Sequence, residues 1–232
     1  MLRIIADDKI PFLKGVLEPY ANVIYMPGNK IDKKAVAQAD ALIIRTRTKC
    51  NASLLEDTPV RFIATATIGY DHIDTEYCDK NHITWKNAPG CNSSSVMQYI
   101  AAALIKISTY AGFKLAEKTI GIIGVGNVGK KVEKFARAVG MKVLLNDPPR
   151  AREEGPEVFC DLKTILSVSD IITLHVPLNY EGTDKTFHLF DESVFRMLKK
   201  DCWLINTSRG EVINSESLRK ALISETITGA VL

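Results

Sequence analysis

Gly124, Gly126 and Gly129 form the spacing Gly-x-Gly-x-x-Gly, directly after an apolar run, Thr119–Val125, and where a helical pattern, Asn127–Val139, begins. A strand that turns sharply into a helix through three glycines is built to receive a pyrophosphate. The first glycine permits the tight turn, the second lets the backbone approach the phosphates, and the third lets helix and strand pack closely. Asn127 and Val128 open the helix, whose unpaired amides and partial positive charge complete the cradle. Asp147 ends the next apolar run, Lys142–Asn146, and lies 18 residues after Gly129. A carboxylate there can accept hydrogen bonds from the adenine ribose and repel a 2′-phosphate, which points to NAD rather than NADP. Arg150 and Arg152 follow closely and are placed to neutralise such a phosphate, so the two acid–base signals oppose each other. The bland reading, a glycine-rich turn in an unrelated unit, must leave the register of strand, glycines, helix and acid unexplained.

The elements that must position these residues alternate along the whole chain, apolar β-branched runs with helical patterns, the signature of parallel βα units. In the first part, strands are predicted at Leu2–Ala6, Asn22–Tyr25, Ala41–Arg45, Arg61–Ala66 and Ile83–Asn87, with helical segments at Pro11–Tyr20 and Lys33–Ala39. A long helix is predicted from Ser93 or Ser94 to about Tyr110, capped by Asn92 or Ser93; apolar nearly all round, it reads as buried within a domain or between subunits. After the glycine unit, Pro148–Pro156 reads as a linker of mixed charge. It is followed by helix Leu162–Val168, strand Ile171–Val176, helix Glu192–Leu198, strand Trp203–Asn206, helix Ser215–Ile223 and strand Ile227–Leu232. The division predicted is a first domain over 1–92 and a dinucleotide-binding domain over 93–232.

The 232 residues are 46% hydrophobic and 25% charged, ordinary for a globular protein. Thirty basic and 27 acidic residues, dispersed along the chain, leave a net charge of +3, too weak a bias to suggest nucleic acid or a membrane surface. No apolar run approaches the roughly 18 residues of a membrane span, and Asp7-Asp8 stand where a signal peptide needs its apolar centre. Five scattered cysteines, 50, 78, 91, 160 and 202, make no Cys-x-x-Cys pair; reduced, metal-free thiols and a cytoplasmic setting are expected.

Several segments resemble the D-isomer-specific 2-hydroxyacid dehydrogenases over essentially the whole chain. They are Arg45-Thr-Arg-Thr-Lys-Cys-Asn51, Thr65-Ala-Thr-Ile-Gly-Tyr-Asp-His-Ile-Asp74, Ala88-Pro-Gly-Cys-Asn92, Asn146-Asp-Pro-Pro-Arg-Ala151, Lys185-Thr-Phe-His-Leu189 and Asn206-Thr-Ser-Arg-Gly210. The glycine fingerprint and Ser-Arg-Gly belong to the wider family. Pro-Gly-Cys-Asn and Asp-Pro-Pro-Arg narrow it to a subgroup that oxidises a phosphorylated 2-hydroxy acid on the way to pyridoxal phosphate (vitamin B6). The resemblance implies α/β architecture, two Rossmann-like lobes with parallel sheets, the first flavodoxin-like and substrate-binding and the second holding NAD, and a homodimer for the complete enzyme.

The family's catalytic arginine matches Arg209, where a guanidinium can grip a substrate carboxylate bidentately and polarise the adjacent oxygen. Substrate contacts transfer to Thr46 and Thr67, and Val176, Thr207 and Ser208 to the nicotinamide side of the cofactor. Arg45, Arg47 and Lys49 are candidates for the substrate phosphate, each equally readable as solvated surface. The family's glutamate and histidine, the latter the general acid–base, are expected after Leu232, so the chain reads as truncated and inactive or nearly so by itself. Its edge strand Ile227–Leu232 would then be exposed. Two other readings stay open: a non-catalytic NAD-binding remnant, and a family member acting on phosphoglycerate or glyoxylate.

Overall fold

In the computed structural model, which describes residues 1–232, the chain forms two compact units, Met1–Cys91 and Asn92–Leu232. The first contains β1 (Leu2–Asp7), β2 (Ala21–Met26), α1 (Lys33–Val36), β3 (Ala41–Ile44), α2 (Ala52–Leu55), β4 (Phe62–Thr65), α3 (Thr75–Lys80) and β5 (Thr84–Lys86). Its five strands are all parallel, in the order β2-β1-β3-β4-β5. Ile5, Leu42, Ile44 and Ile63 from the central strands pack with Val36, Leu54 and Cys78 from the helices. Asp32 and Asp74 cap α1 and α3, each accepting from the amide three residues on.

The second unit contains α4 (Ser93–Ala111), β6 (Thr119–Ile123), α5 (Gly129–Ala138), β7 (Lys142–Asn146), α6 (Pro148–Glu154), α7 (Leu162–Val168), β8 (Ile171–Leu174), α8 (Glu192–Phe195), β9 (Cys202–Asn206), α9 (Ser215–Ile223) and β10 (Ile227–Val231). Its strands are again all parallel, in the order β10-β9-β8-β6-β7. Alternation across the pleat builds a core on each face. Ile171 joins Ile100, Leu104 and Val132 of α4 and α5, while its neighbour Ile172 joins Leu166, Phe195 and Leu218 of α7, α8 and α9. The order reverses between β6 and β8, the switch point at which such sheets bind ligands.

Three expectations need correction. Pro11–Tyr20 is a series of turns, not a helix; Phe12 and Gly15 have φ of 61° and 87°, and Phe12 is 95% exposed, so no apolar face is buried that would pay for helix formation. Pro148–Pro156 is no linker, because α6 occupies most of it, with proline at the first helical positions, where a missing N–H costs nothing. The long helix α4 is not buried all round within its own domain, the first of the two readings: Ile100, Leu104 and Ile107 face the core, whereas Tyr99, Ile105 and Tyr110 are 49%, 55% and 78% exposed. The reading of burial between subunits is untouched by this. Strand β10 does lie at the sheet edge, and no helix is long and apolar enough to cross a membrane.

Candidate cofactor and substrate site

Steric surroundings distinguish the three glycines. Gly124 has φ of 88°, and a Cβ on it would stand 2.6 Å from the carbonyl oxygen of His175, so only glycine lets the turn pass beside the end of β8. A Cβ on Gly129 would come within 2.1 Å of the Gly124 carbonyl oxygen, which fixes the close approach of α5 to the turn. Gly126 has nothing within 4 Å of its absent Cβ, and it and Asn127 are exposed. Open space at the middle glycine is what a pyrophosphate needs. Helix α5 begins after Val128 with no capping side chain, in contrast to α6, α7, α8 and α9, whose first turns are capped by Asp147, Asp161, Asp191 and Asn214. Its first amides thus have no protein carboxylate competing for them.

Asp147 stands at the end of β7 and joins the turn directly. Its Oδ2 accepts from the Val125 N–H at 2.7 Å and its Oδ1 from the Arg150 N–H at 3.2 Å. Gly124 itself donates to the carbonyl of Asn146 at 2.9 Å, and the buried Asn146 side chain donates to Cys160 O at 2.8 Å. Both arginines weighed against NAD are paired with acids. Arg150 bonds Glu154 and donates through Nη1 to Val125 O at 2.7 Å, and Arg152 bonds Asp184. Both guanidinium groups are thus already engaged by protein acceptors.

A cavity of about 280 Å³ opens beside the turn, lined among others by Gly124, Gly126, Asp147, His175, Val176 and Asn179. Its far wall is a loop after β8 closed on itself: Thr186 donates to Pro177 O at 2.5 Å and accepts from the Asn179 N–H at 2.8 Å. Thr186 lies within Lys185-Thr-Phe-His-Leu189, one of the segments that carry the family resemblance, whereas nothing in the sequence singled out Asn179. His175, between Thr173 Oγ1 at 3.0 Å and Thr207 Oγ1 at 3.4 Å, is held down to about 4 by burial, so it is neutral at physiological pH.

A second cavity, of about 360 Å³, is lined by Asn206, Thr207, Ser208 and Arg209 after β9, with Ser215 and Leu218 of α9. Asn206 organises this loop. Its Oδ1 accepts from the Ser208 N–H at 3.0 Å and the Ser208 hydroxyl at 2.7 Å, while its Nδ2 donates to Arg209 O at 2.8 Å. Arg209 leaves the loop in extended conformation and donates through Nη1 to Ser208 O at 3.1 Å. In the first unit, Thr46 is exposed just past β3, with Arg47 and Lys49 also exposed and Arg45 half-buried. Thr67, two residues past β4, is half-buried; its Oγ1 donates to Gly69 O at 2.9 Å and lies 2.6 Å from Thr65 Oγ1. Thr65 and Asn206 open two of the segments that carry the family resemblance, but sequence reasoning gave neither of them a role.

A family model described as "D-isomer specific 2-hydroxyacid dehydrogenase, NAD binding domain" matches residues 95–232. The chain belongs to this family. It is 53% identical, over its whole length, to the erythronate-4-phosphate dehydrogenase of Bacteroides fragilis (strain NCTC 9343), of which it covers 67%. It is 54% identical to the protein of that name from Bacteroides thetaiotaomicron, again covering 67%. Among solved structures, D-lactate dehydrogenase from Aquifex aeolicus with NAD and lactic acid superposes with a TM-score of 0.81 at 26% identity, over 98% of this chain and 75% of that one. The cofactor is NAD, and the architecture is that of an NAD-dependent 2-hydroxyacid dehydrogenase.

Proposed function

We propose that this protein oxidises 4-phospho-D-erythronate to 2-oxo-3-hydroxy-4-phosphobutanoate, a step toward pyridoxal 5′-phosphate. The carrying observation is the 53% identity, over an alignment that spans all 232 residues, to a relative named for that substrate. The five unpaired cysteines suit a cytoplasmic enzyme, and a homodimer is part of the reading.

Bound NAD supplies the hydride acceptor. Around it, Gly124, Gly126, Asn127, Val128 and Gly129 hold the pyrophosphate, Asp147 the adenine ribose, and Val176, Thr207 and Ser208 the nicotinamide side. Arg209 binds the substrate carboxylate and offsets negative charge on the oxygen at C2, while Thr46 and Thr67 bind the substrate's polar groups. Oxidation also needs a base for the C2 hydroxyl proton. His175 is held near 4 by burial, too weak a base at neutral pH, and His188 Nδ1 faces the Asn214 amide at 3.5 Å. In this reading the proton acceptor is the histidine that the family resemblance implies, which matches no position in residues 1–232, so these residues alone should bind NAD and turn over slowly if at all.

Initial rates with 4-phosphoerythronate, 3-phosphoglycerate and glyoxylate test the reading, measured on the 232-residue chain and on one carrying a relative's C-terminal third. The first acid should be preferred, with activity only in the extended chain. Preference for another acid would reject the substrate. Turnover by the 232-residue chain above its Arg209→Ala variant would reject the assignment of the base.

A further inference from the structure

The hydroxyls at the end of β4 form a relay with a fixed direction. Gly69 O can only accept, so the single proton of the Thr67 hydroxyl is committed to it at 2.9 Å. The 2.6 Å contact between Thr65 Oγ1 and Thr67 Oγ1 must then be a donation from Thr65 to Thr67. Thr65, having spent its proton, can only accept across the 3.0 Å contact with His72 Nε2, so that nitrogen carries hydrogen. The relay runs from His72 through Thr65 and Thr67 to the backbone. Thr65 is 3% exposed, while Thr67 is half-buried and is the end of the relay that a ligand can meet. Backbone pairing holds both ends: Cys50 N–H donates to His72 O at 2.7 Å, and Ala88 N–H donates to Thr67 O at 3.0 Å.

We infer that Gly69 O fixes the Thr67 hydroxyl as a pure acceptor, that His72 is a positioning residue which holds Thr65 as the donor to it, and that Thr67 thereby selects a substrate carrying a free hydroxyl at C3. The inference rests on the substrate proposed above. A carboxylate and a phosphate at neutral pH have almost no proton to give, so a pure acceptor repels them and takes only a hydroxyl. Of the two hydroxyls of 4-phosphoerythronate, the one at C2 must surrender its proton to the base, which leaves the C3 hydroxyl as donor. In 3-phosphoglycerate the C3 oxygen is esterified and has no hydrogen. Thr67 would therefore separate the two acids without any contact to the phosphate. A site that hydrogen-bonds a substrate hydroxyl discriminates strongly against the analogue lacking it, because its own group is left unpaired.

Two measurements test this. In ¹⁵N-histidine-labelled 232-residue chain, long-range nitrogen–proton correlation at pH 7.5 should show His72 Nε2 protonated; an unprotonated Nε2 overturns the relay. Calorimetry with NADH present, which prevents turnover, then compares 4-phosphoerythronate with its 3-deoxy analogue. The wild-type chain should prefer the hydroxylated ligand about tenfold, the worth of one modest hydrogen bond. His72→Leu, which frees Thr65 to accept from Thr67 instead of donating to it, should reduce that preference severalfold, and His72→Gln, which restores a donor, should recover most of it. Equal weakening of both ligands in His72→Leu, or a preference unchanged there, overturns the inference while leaving the substrate standing. If neither ligand binds although NADH does, the proposed substrate fails and the inference fails with it.

Discussion

The Val125 peptide is held from both sides by neighbours of β7: its N–H donates to Asp147 Oδ2 at 2.7 Å, and its carbonyl accepts from Arg150 Nη1 at 2.7 Å. Asp147 is thus a structural member of the glycine turn, and Arg150 beside it is spent on the same peptide. In the NAD site proposed above, selection would have two layers, the Asp147 carboxylate and two arginines already paired with Glu154 and Asp184.

Removing the carboxylate should therefore weaken NAD without creating an NADP enzyme. Asp147→Ala loses a helix cap, worth about 1 kcal/mol, and a charge-assisted bond to the turn. Its Tm should fall and its NAD affinity drop about tenfold or more, with NADP still bound poorly. Adding Asp184→Asn releases Arg152, and the double variant should gain NADP affinity over the single one. Titration of both cofactors checks this; a single variant that already prefers NADP refutes the second layer.

The glycines separate folding from binding. Gly129→Ala puts a methyl 2.1 Å from backbone oxygen, where neither partner can yield, and overpacking of that kind typically costs about 1–3 kcal/mol. Gly126→Ala meets nothing within 4 Å, so its stability should match wild type while NAD binding is lost to the methyl in the pyrophosphate's place. Thermal melts and NAD titrations on the two variants should move in opposite columns: the first mainly in Tm, the second mainly in affinity.

How much of this was legible follows from which interactions are local. Gly124, Gly126, Gly129 and Asp147 could be read from spacing, because a strand–turn–helix constrains residue types within a few positions. The edges of β7, α7 and α9 were equally local, set by Lys142–Asn146, Leu162–Val168 and Ser215–Ile223. Helix α6 was missed because Pro148-Pro149 reads as a breaker unless Asp147 is recognised as its cap. Pro11–Tyr20 was misread for the opposite reason: a fair apolar pattern has no core to pack against, so turns at Phe12 and Gly15 prevail. The roles of Asn206, Thr65 and His72 arise only when loops converge, and no periodicity announces them.

His175 gives a pH signature. Burial lowers its folded value from 6.5 to about 4, so the unfolded chain takes up a proton before the folded one does. Its contribution is fully present above pH 6.5 and is lost as pH falls from there toward 4, by at most about 3 kcal/mol. Carboxylates such as Asp170, which Lys199 and Lys118 hold low against the opposing effect of burial, lose stability at still lower pH. The comparison to make is Tm between pH 7 and 4.5 for wild type and His175→Gln. The variant, which retains a partner for Thr173, should show the shallower decline; parallel curves would mean that the ring titrates normally.

Asn206 should control Arg209 without touching a ligand itself. Its side chain makes three hydrogen bonds within its own loop while only 7% exposed, so Asn206→Ala leaves the Ser208 N–H and the Arg209 carbonyl to find new partners. A buried loss of that size costs about 1–3 kcal/mol. The loop that aims Arg209 should loosen, whereas the glycine turn, bonded to β7 and not to Asn206, should keep its geometry. Asn206→Asp preserves both acceptor contacts and removes only the donation to Arg209 O, which isolates the link to the arginine. Expected, then, is NAD affinity within about twofold of wild type in both variants, with binding of 4-phosphoerythronate beside NADH weakened about tenfold or more in Asn206→Ala and less in Asn206→Asp. A loss of NAD binding equal to the loss of acid binding would show that Asn206 merely holds the second unit together.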